Sequence, residues 1–187
     1  SSTPDVFETG NTQTATFSAV GAYSDLSAFY DDLGGDALLP GFVEAGSVAD
    51  TVYSLPYYFG SRFAWYRKDL YEAAGVAEPT TLQEFTDVNA TLKTAGSGAY
   101  IPGQDWRSGI AWIFANGGDL ATYDGSEWTA ALSSDESIAG MEMWKELFAT
   151  TSVAGATDTD ATAYQAINDE FLPDSAVGTT LAPNWAY

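Results

Sequence analysis

The chain has 187 residues, 45 % of them hydrophobic with ten Phe, eleven Tyr and six Trp, enough apolar mass for one large domain or parts of two. Twenty-six Asp and Glu oppose six Lys and Arg, and a formal net charge of −20 disfavours binding to phosphate backbones or anionic lipid surfaces. Neither Cys nor His occurs, which removes disulfides, thiol nucleophiles, zinc sites and the usual general base, and with them Ser-His-Asp and Cys-His catalysis.

Asp5–Glu8 reads as a short strand, followed by the polar turn Thr9-Gly10-Asn11-Thr12. Phe17, Val20, Leu26, Phe29, Tyr30 and Leu33 predict short helices broken at Gly21 and Gly34-Gly35. "VYSLPYY" reads as extended, confined by Pro56 to an edge or a strand end, and "FAWYR" as a second, buried strand. Between them "FGSR" interrupts an apolar run with a glycine, a hydroxyl and a guanidinium, which a buried strand does not favour.

"KDLYEAAGV" predicts a short helix closed by Gly75. "PTTLQEFTDVNATLKTAG" predicts a longer one, with Thr81 and Glu84 as a capping box, Leu82, Phe85, Val88 and Leu92 at helical spacing, and a stop at Gly96. "AYIPGQDWRSG" is a short strand delivering a loop rich in polar and aromatic groups, and "IAWIFANGGD" an apolar helix ended by Asn116-Gly117-Gly118. "LATYDGSEWTAAL" predicts a hairpin turning at Asp124-Gly125, with Tyr123 and Trp128 paired across it.

"SSDESIAGMEMWKELFA" predicts a helix capped by Ser133 and Glu136, with Ile138, Met141, Trp144 and Leu147 forming its core face. "TDATAYQAINDEFL" adds an amphipathic helix through Ala161, Tyr164 and Ile167, and "SAVGTTLAPNWAY" begins as a strand. Strands alternating with helices indicate an α/β fold with a largely parallel sheet. A sequence that stops mid-strand on Trp185-Ala186-Tyr187 is expected to be a piece of a longer chain. No apolar run approaches the roughly 18 residues of a membrane helix, and no basic-then-apolar leader opens the chain, so any export signal is expected to have been removed.

Taken in order, "DVFETGNT", "LPYYFGSRFAWYRKDLYEAAGVAEPTTLQEF", "IPGQDW", "FANGGDL", "WKELF" and "LAPNWAY" resemble the extracellular solute-binding proteins of ABC importers, in the sugar-binding family that includes the maltodextrin-binding proteins. The resemblance covers essentially the whole chain. It implies a two-lobed periplasmic-binding-protein-like α/β fold, incomplete at both ends: residues 1–58 as part of lobe one, 59–62 as the hinge crossover and 63–187 as most of lobe two. It further implies capture of a small carbohydrate, with a membrane permease as partner, in a monomer held outside the cell, lipid-anchored or periplasmic. No catalytic residue, metal or cofactor is expected.

Sugars present hydroxyls to planar hydrogen-bonding groups and C–H faces to aromatic rings. On the resemblance the ligand-binding candidates are Asn11, Thr12, Tyr58, Gly60, Ser61, Arg62, Asp105, Trp106, Arg107 and Trp185. Several of these have plainer alternatives: Gly60–Arg62 as a bulge with a surface arginine, Tyr58 as a packing residue, Asp105 as the N-cap of the following helix, and Trp185 as a core residue. Trp65, Trp112, Trp128 and Trp144 read as structural. Two other functions remain open. A glycoside hydrolase would need two carboxylates about 5–9.5 Å apart across a sugar, which sequence neighbours such as Asp31-Asp32 and Asp135-Glu136 do not provide. A receptor for a cationic ligand such as a polyamine, or for a peptide, rests on the acidity alone, which a solvated surface explains as well.

Overall fold

In the computed structural model, which describes residues 4–159 and 176–184, residues 5–8 form no strand. They lead instead into helix α1 (Asn11–Ala19), so Asn11 and Thr12 open a helix where a polar turn was expected. A lone short run has no ladder to satisfy its backbone, whereas the extended Gly10 offers its carbonyl to the amides of Gln13 and Thr14 at 3.0 and 3.2 Å and starts the helix. Short 3-10 turns at Ser27–Phe29 and Gly35–Ala37 and helix α2 (Pro40–Ala45) follow, broken by Gly34 at φ +131° as the sequence predicts.

Strands β1 (Ser47–Val48) and β2 (Thr51–Val52) then form a hairpin that the sequence does not announce. Its turn residues Ala49 and Asp50 take φ +48° and +64° without the Gly such a turn usually carries. The chain separates into two compact units, Ser1–Phe59 and Gly60–Tyr187.

The second unit is built on a sheet ordered β3 (Arg62–Tyr66), β7 (Val177–Pro183), β4 (Gly98–Tyr100). β7 runs antiparallel to β3, with Leu181 opposite Ala64, and parallel to β4, with Thr180 opposite Tyr100. Of the largely parallel sheet expected, the described residues hold this one parallel pair; β1–β2 is a tight hairpin, and such connections can only be antiparallel. The expectation that "FAWYR" is buried also fails for part of the strand: β3 lies at the sheet edge, Phe63 is 52 % exposed, and burial falls on β7, all seven residues of which are covered.

Helix α3 (Lys68–Ala74) ends on Gly75 in the left-handed conformation, as predicted. Helix α4 (Leu82–Thr94) is capped by Thr81, whose hydroxyl accepts from the Glu84 amide at 3.1 Å. The Glu84 carboxylate reaches one residue further back than a capping box requires, accepting from the Thr80 amide and hydroxyl at 2.7 and 2.6 Å. Helix α5 (Trp106–Ala115) begins within the stretch expected to be loop. The hairpin of β5 (Ala121–Tyr123) and β6 (Trp128–Ala130) sets Tyr123 opposite Trp128, ring centroids 5.1 Å apart, as the sequence predicts.

Helix α6 (Asp135–Thr151) is capped by Ser134, one residue later than expected, its hydroxyl accepting from the Ser137 amide at 3.1 Å. The predicted core stripe is rotated too. Leu147 is buried and Trp144 packs on the core, but Ile138 and Met141 are 41 and 40 % exposed. The buried side runs through Ser137, Gly140, Leu147 and Thr151 because α6 meets α5 backbone to backbone at Gly140. A Cβ there would stand 2.6 Å from both the Ile113 Cα and the Trp112 carbonyl oxygen. The core joins Phe85, Ala99, Ile101, Trp112, Leu147 and Leu181 from α4, the β4 region, both packed helices and β7. The helix expected through Ala161, Tyr164 and Ile167 lies outside the described residues.

Two predictions follow from this packing. Gly140→Ala is expected to lower stability by about 1–3 kcal/mol through overpacking, and Met141→Ser to change it by less than about 0.5 kcal/mol. Urea midpoints of the two variants decide the matter, and a larger cost for Met141→Ser would mean that the wrong face of α6 has been assigned to the core. The second concerns acid. The Thr80 hydroxyl and then its amide hold the Glu84 carboxyl below its ordinary value. A carboxyl depressed in the folded state adds stability above its unfolded value near pH 4.3 and loses it as pH falls through the folded value. Glu84→Gln should therefore flatten the decline of melting temperature from about pH 5 to pH 3 relative to the parent; equal slopes would show that the Thr80 contacts do not act on folding.

Candidate functional site

Because β4 and β7 run parallel, their carboxyl ends share one edge of the sheet, and antiparallel β3 brings its first residue, Arg62, opposite Pro183 at that same edge. Gly60 and Ser61 before β3, the loop after β4, the amino end of α5 and Asn184 after β7 are all delivered there. The Asn184 amide donates to the Ser61 carbonyl at 3.0 Å, extending the β3–β7 pairing by one step. The carboxyl edge of strands in an open α/β sheet is where ligands of such folds bind.

At the centre of this edge is Asp105, only 1 % exposed and the N-cap of α5. Its Oδ1 accepts from the Ser108 amide at 3.2 Å, and its Oδ2 accepts from the Ser108 hydroxyl at 2.5 Å. The Arg62 guanidinium donates through one Nη to Asp105 Oδ2 and to the Ser108 hydroxyl, both at 3.4 Å. Of the two roles the sequence left open for Asp105, the structure displays the cap. The local cause is an Asp-x-x-Ser spacing that folds both ends of the first helical turn onto one carboxylate.

Trp106 and Arg107 occupy the first turn of α5, with Trp106 52 % exposed and the Arg107 guanidinium carbon 4.4 Å from the Trp106 ring centroid. Beside the Arg62–Asp105 pair the same unit opens a cleft of about 550 Å³. Arg62, Ala64 and Leu181 line one wall, the Thr80-Thr81 turn and Phe85 another, and Ser108 and Trp112 of α5 a third. Its surface is mainly apolar with a few polar groups, the composition common to small-molecule sites.

The candidates from sequence are thus distributed. Arg62 and Asp105 are in contact, Ser61 is tied to Asn184, and Trp106 stacks with Arg107, all within the second unit. Gly60 is exposed just ahead of Ser61. Asn11, Thr12 and Tyr58 belong to the first unit: the first two are exposed on α1, and Tyr58 is 63 % exposed and edge-on to Tyr57 at 5.8 Å. Trp185 lies outside the described residues. Ser108 was missed, although its place three residues after Asp105 was visible, and Trp112, read as structural, also lines the cleft. Among the described residues, no group of three acidic side chains is placed to hold a metal ion, and no helix is long and apolar enough to cross a membrane.

Residues 1–169 match the family described as bacterial extracellular solute-binding protein, and the chain belongs to that family. Its relatives include the diacetylchitobiose binding protein DasA of Streptomyces coelicolor, 30 % identical over 186 residues, which span 97 % of this chain and 42 % of the relative. A mannitol-binding protein of Pseudomonas aeruginosa is 32 % identical over 133 residues, 66 % of this chain and 29 % of that protein. Among solved structures, the GacH receptor of Streptomyces glaucescens, described unliganded and with acarbose, superposes with a TM-score of 0.76 at 20 % identity, over 94 % of this chain and 44 % of the receptor, a likeness of fold. The chain spans less than half the length of these proteins.

The cap role yields a stability prediction. Asp105→Ala removes the acceptor for Ser108 and leaves Arg62 beside an apolar group, with an expected cost of about 1–3 kcal/mol. Asp105→Asn keeps an acceptor for the Ser108 amide and should cost less. Chemical denaturation of both variants checks the order, and equal, negligible losses would remove the cap assignment.

Proposed function

We propose that the full-length protein is the substrate-binding component of an ABC importer and that it captures a small carbohydrate, mono- or oligosaccharide, without breaking it. The observation that carries this reading is the 30 % identity, over 97 % of this chain, to a protein that binds diacetylchitobiose. The site suits such a ligand: Arg62 and Ser61 supply donors for hydroxyls, and the exposed Trp106 and the apolar cleft supply surface for C–H faces. Residues 59–62 serve as the crossover between the two units, with Gly60 allowing the backbone to bend. Asn11, Thr12 and Tyr58 are the candidates of the first unit, and Trp185, next in sequence to Asn184, is the candidate aromatic for a sugar ring. The protein works outside the cell, lipid-anchored or periplasmic, as a monomer that delivers its ligand to a membrane permease.

A hydrolase is a poorer match, since the Asp105 carboxylate is buried and bonded to Ser108 and Arg62 and does not suit a group that must reach a glycosidic bond.

The test is a melting-temperature screen of the full-length protein against mono- and oligosaccharides, paired with chromogenic glycosides. A ligand at 100 times its dissociation constant should add about 2.7 kcal/mol of stability. No glycoside should turn over. Trp185→Ala should weaken binding of the best ligand about thirtyfold with little change in the unliganded melting temperature, as for a desolvated aromatic anchor. The reading is overturned if no carbohydrate stabilises the protein or if a glycoside is hydrolysed.

A further inference from the structure

We infer that Arg62 determines the charge selectivity of the candidate site: by pairing with Asp105 from within the fold it withdraws that carboxylate from any ligand, so the site takes uncharged, hydroxyl-bearing molecules and refuses polyamines. The inference rests on the carbohydrate reading above and narrows it.

The chain as a whole would suggest the opposite. At a net charge of −20 its surface field attracts cations, and the one acidic residue among the candidates at this edge is Asp105. The geometry reverses that expectation. Asp105 is 1 % exposed, and its two oxygens already receive the Ser108 amide, the Ser108 hydroxyl and Arg62. An ammonium arriving from solution would have to displace a guanidinium tethered to the same unit, which gives up no translational freedom to stay where it is. Arg62 itself is only partly covered, with 21 % of its side-chain surface open, and it lines the cleft together with Ser108. A ligand in the cleft therefore meets a cation whose counter-charge is buried behind it. Hydroxyl and carbonyl oxygens are good partners for that surface, whereas a second cation is repelled.

Removing the guanidinium should uncover the latent preference, because a buried carboxylate left without its counter-charge is strongly unfavourable and recruits a replacement. The experiment is calorimetry on the full-length protein with spermidine and with the best carbohydrate of the screen. The parent should show no spermidine binding at millimolar concentration. Arg62→Gln should gain at least tenfold in spermidine affinity and lose about tenfold for the carbohydrate. Arg62→Lys, which keeps a cation in place, should still refuse spermidine. The double variant Arg62→Gln/Asp105→Asn removes the unpaired buried charge and its folding penalty, and should show no gain. Spermidine binding by the parent, no gain in Arg62→Gln, or an equal gain in the double variant would each overturn the inference. A parent that binds no carbohydrate while Arg62→Gln gains spermidine would instead overturn the carbohydrate reading and leave the selectivity of Arg62 standing.

Discussion

β7 is hydrogen-bonded on both sides, to β3 some 115 residues earlier in sequence and to β4 some 80 residues earlier, and β3 and β4 have no pairing with each other. All seven of its residues are buried, and three of them, Val177, Leu181 and Ala182, belong to the buried apolar groups of the unit. A strand in this position fixes more than a core. Its polar side chains must be satisfied inside, and Thr179 is, by the Tyr71 hydroxyl at 2.8 Å, which ties α3 to the underside of the sheet. Its direction decides which ends of β3 and β4 lie together, and hence that crossover residues, an α5 amino terminus and the chain after Pro183 converge on one edge.

The packing of α6 on α5 has a different character. At Gly140 the contact is between backbones, so the side chains that would normally fill a helix interface are displaced to its flanks. Trp144 moves onto Trp112, centroids 5.1 Å apart, and Trp112 in turn meets Phe85 at 6.0 Å. The same indole lines the cleft. Core and site thus share a wall, and the position of α5 against α6 sets both the depth of the cleft and the placement of the helix end on which Asp105 sits.

Local features with a residue signature were legible in the sequence, and contacts between distant elements were not. The Thr81 cap of α4, Gly75, and Asp124-Gly125 flanked by Tyr123 and Trp128 each contain their own cause within a few residues, and each forms as read, while Glu84 reaches back to Thr80. The β1–β2 hairpin was invisible because Ala49 and Asp50 adopt positive φ without a residue type that advertises it. The face of α6 was misjudged because hydrophobic periodicity counts Ile138 and Met141 and gives Gly140 no weight, although closeness of approach made the glycine the contact. At the site, Arg62 and Asp105 were singled out separately, 43 residues apart, and nothing in a single sequence could pair them. Ser108 escaped notice because a serine in the first turn of a helix is ordinary until the carboxylate three residues earlier is seen to be buried.

Cations are scarce in this molecule, six against twenty-six acids, and their placement is correspondingly informative. Lys68 pairs with Glu72, both well exposed, where such a contact contributes little, and Arg67 holds the exposed Asp69 through two N–H donors at 2.8 and 2.6 Å. Lys93 donates to the Ser152 carbonyl at 2.9 Å, at the carboxyl end of α6, where the helix field favours a positive charge. Arg62 differs from all of these, because its partner is an almost fully buried carboxylate that also caps a helix. An unpaired charge in that position would be strongly destabilising, so the guanidinium serves stability there before any ligand is considered. That requirement places a donor on the wall of a mainly apolar cleft, and the structural demand of a single buried aspartate thereby supplies a polar group around which a binding site can be organised.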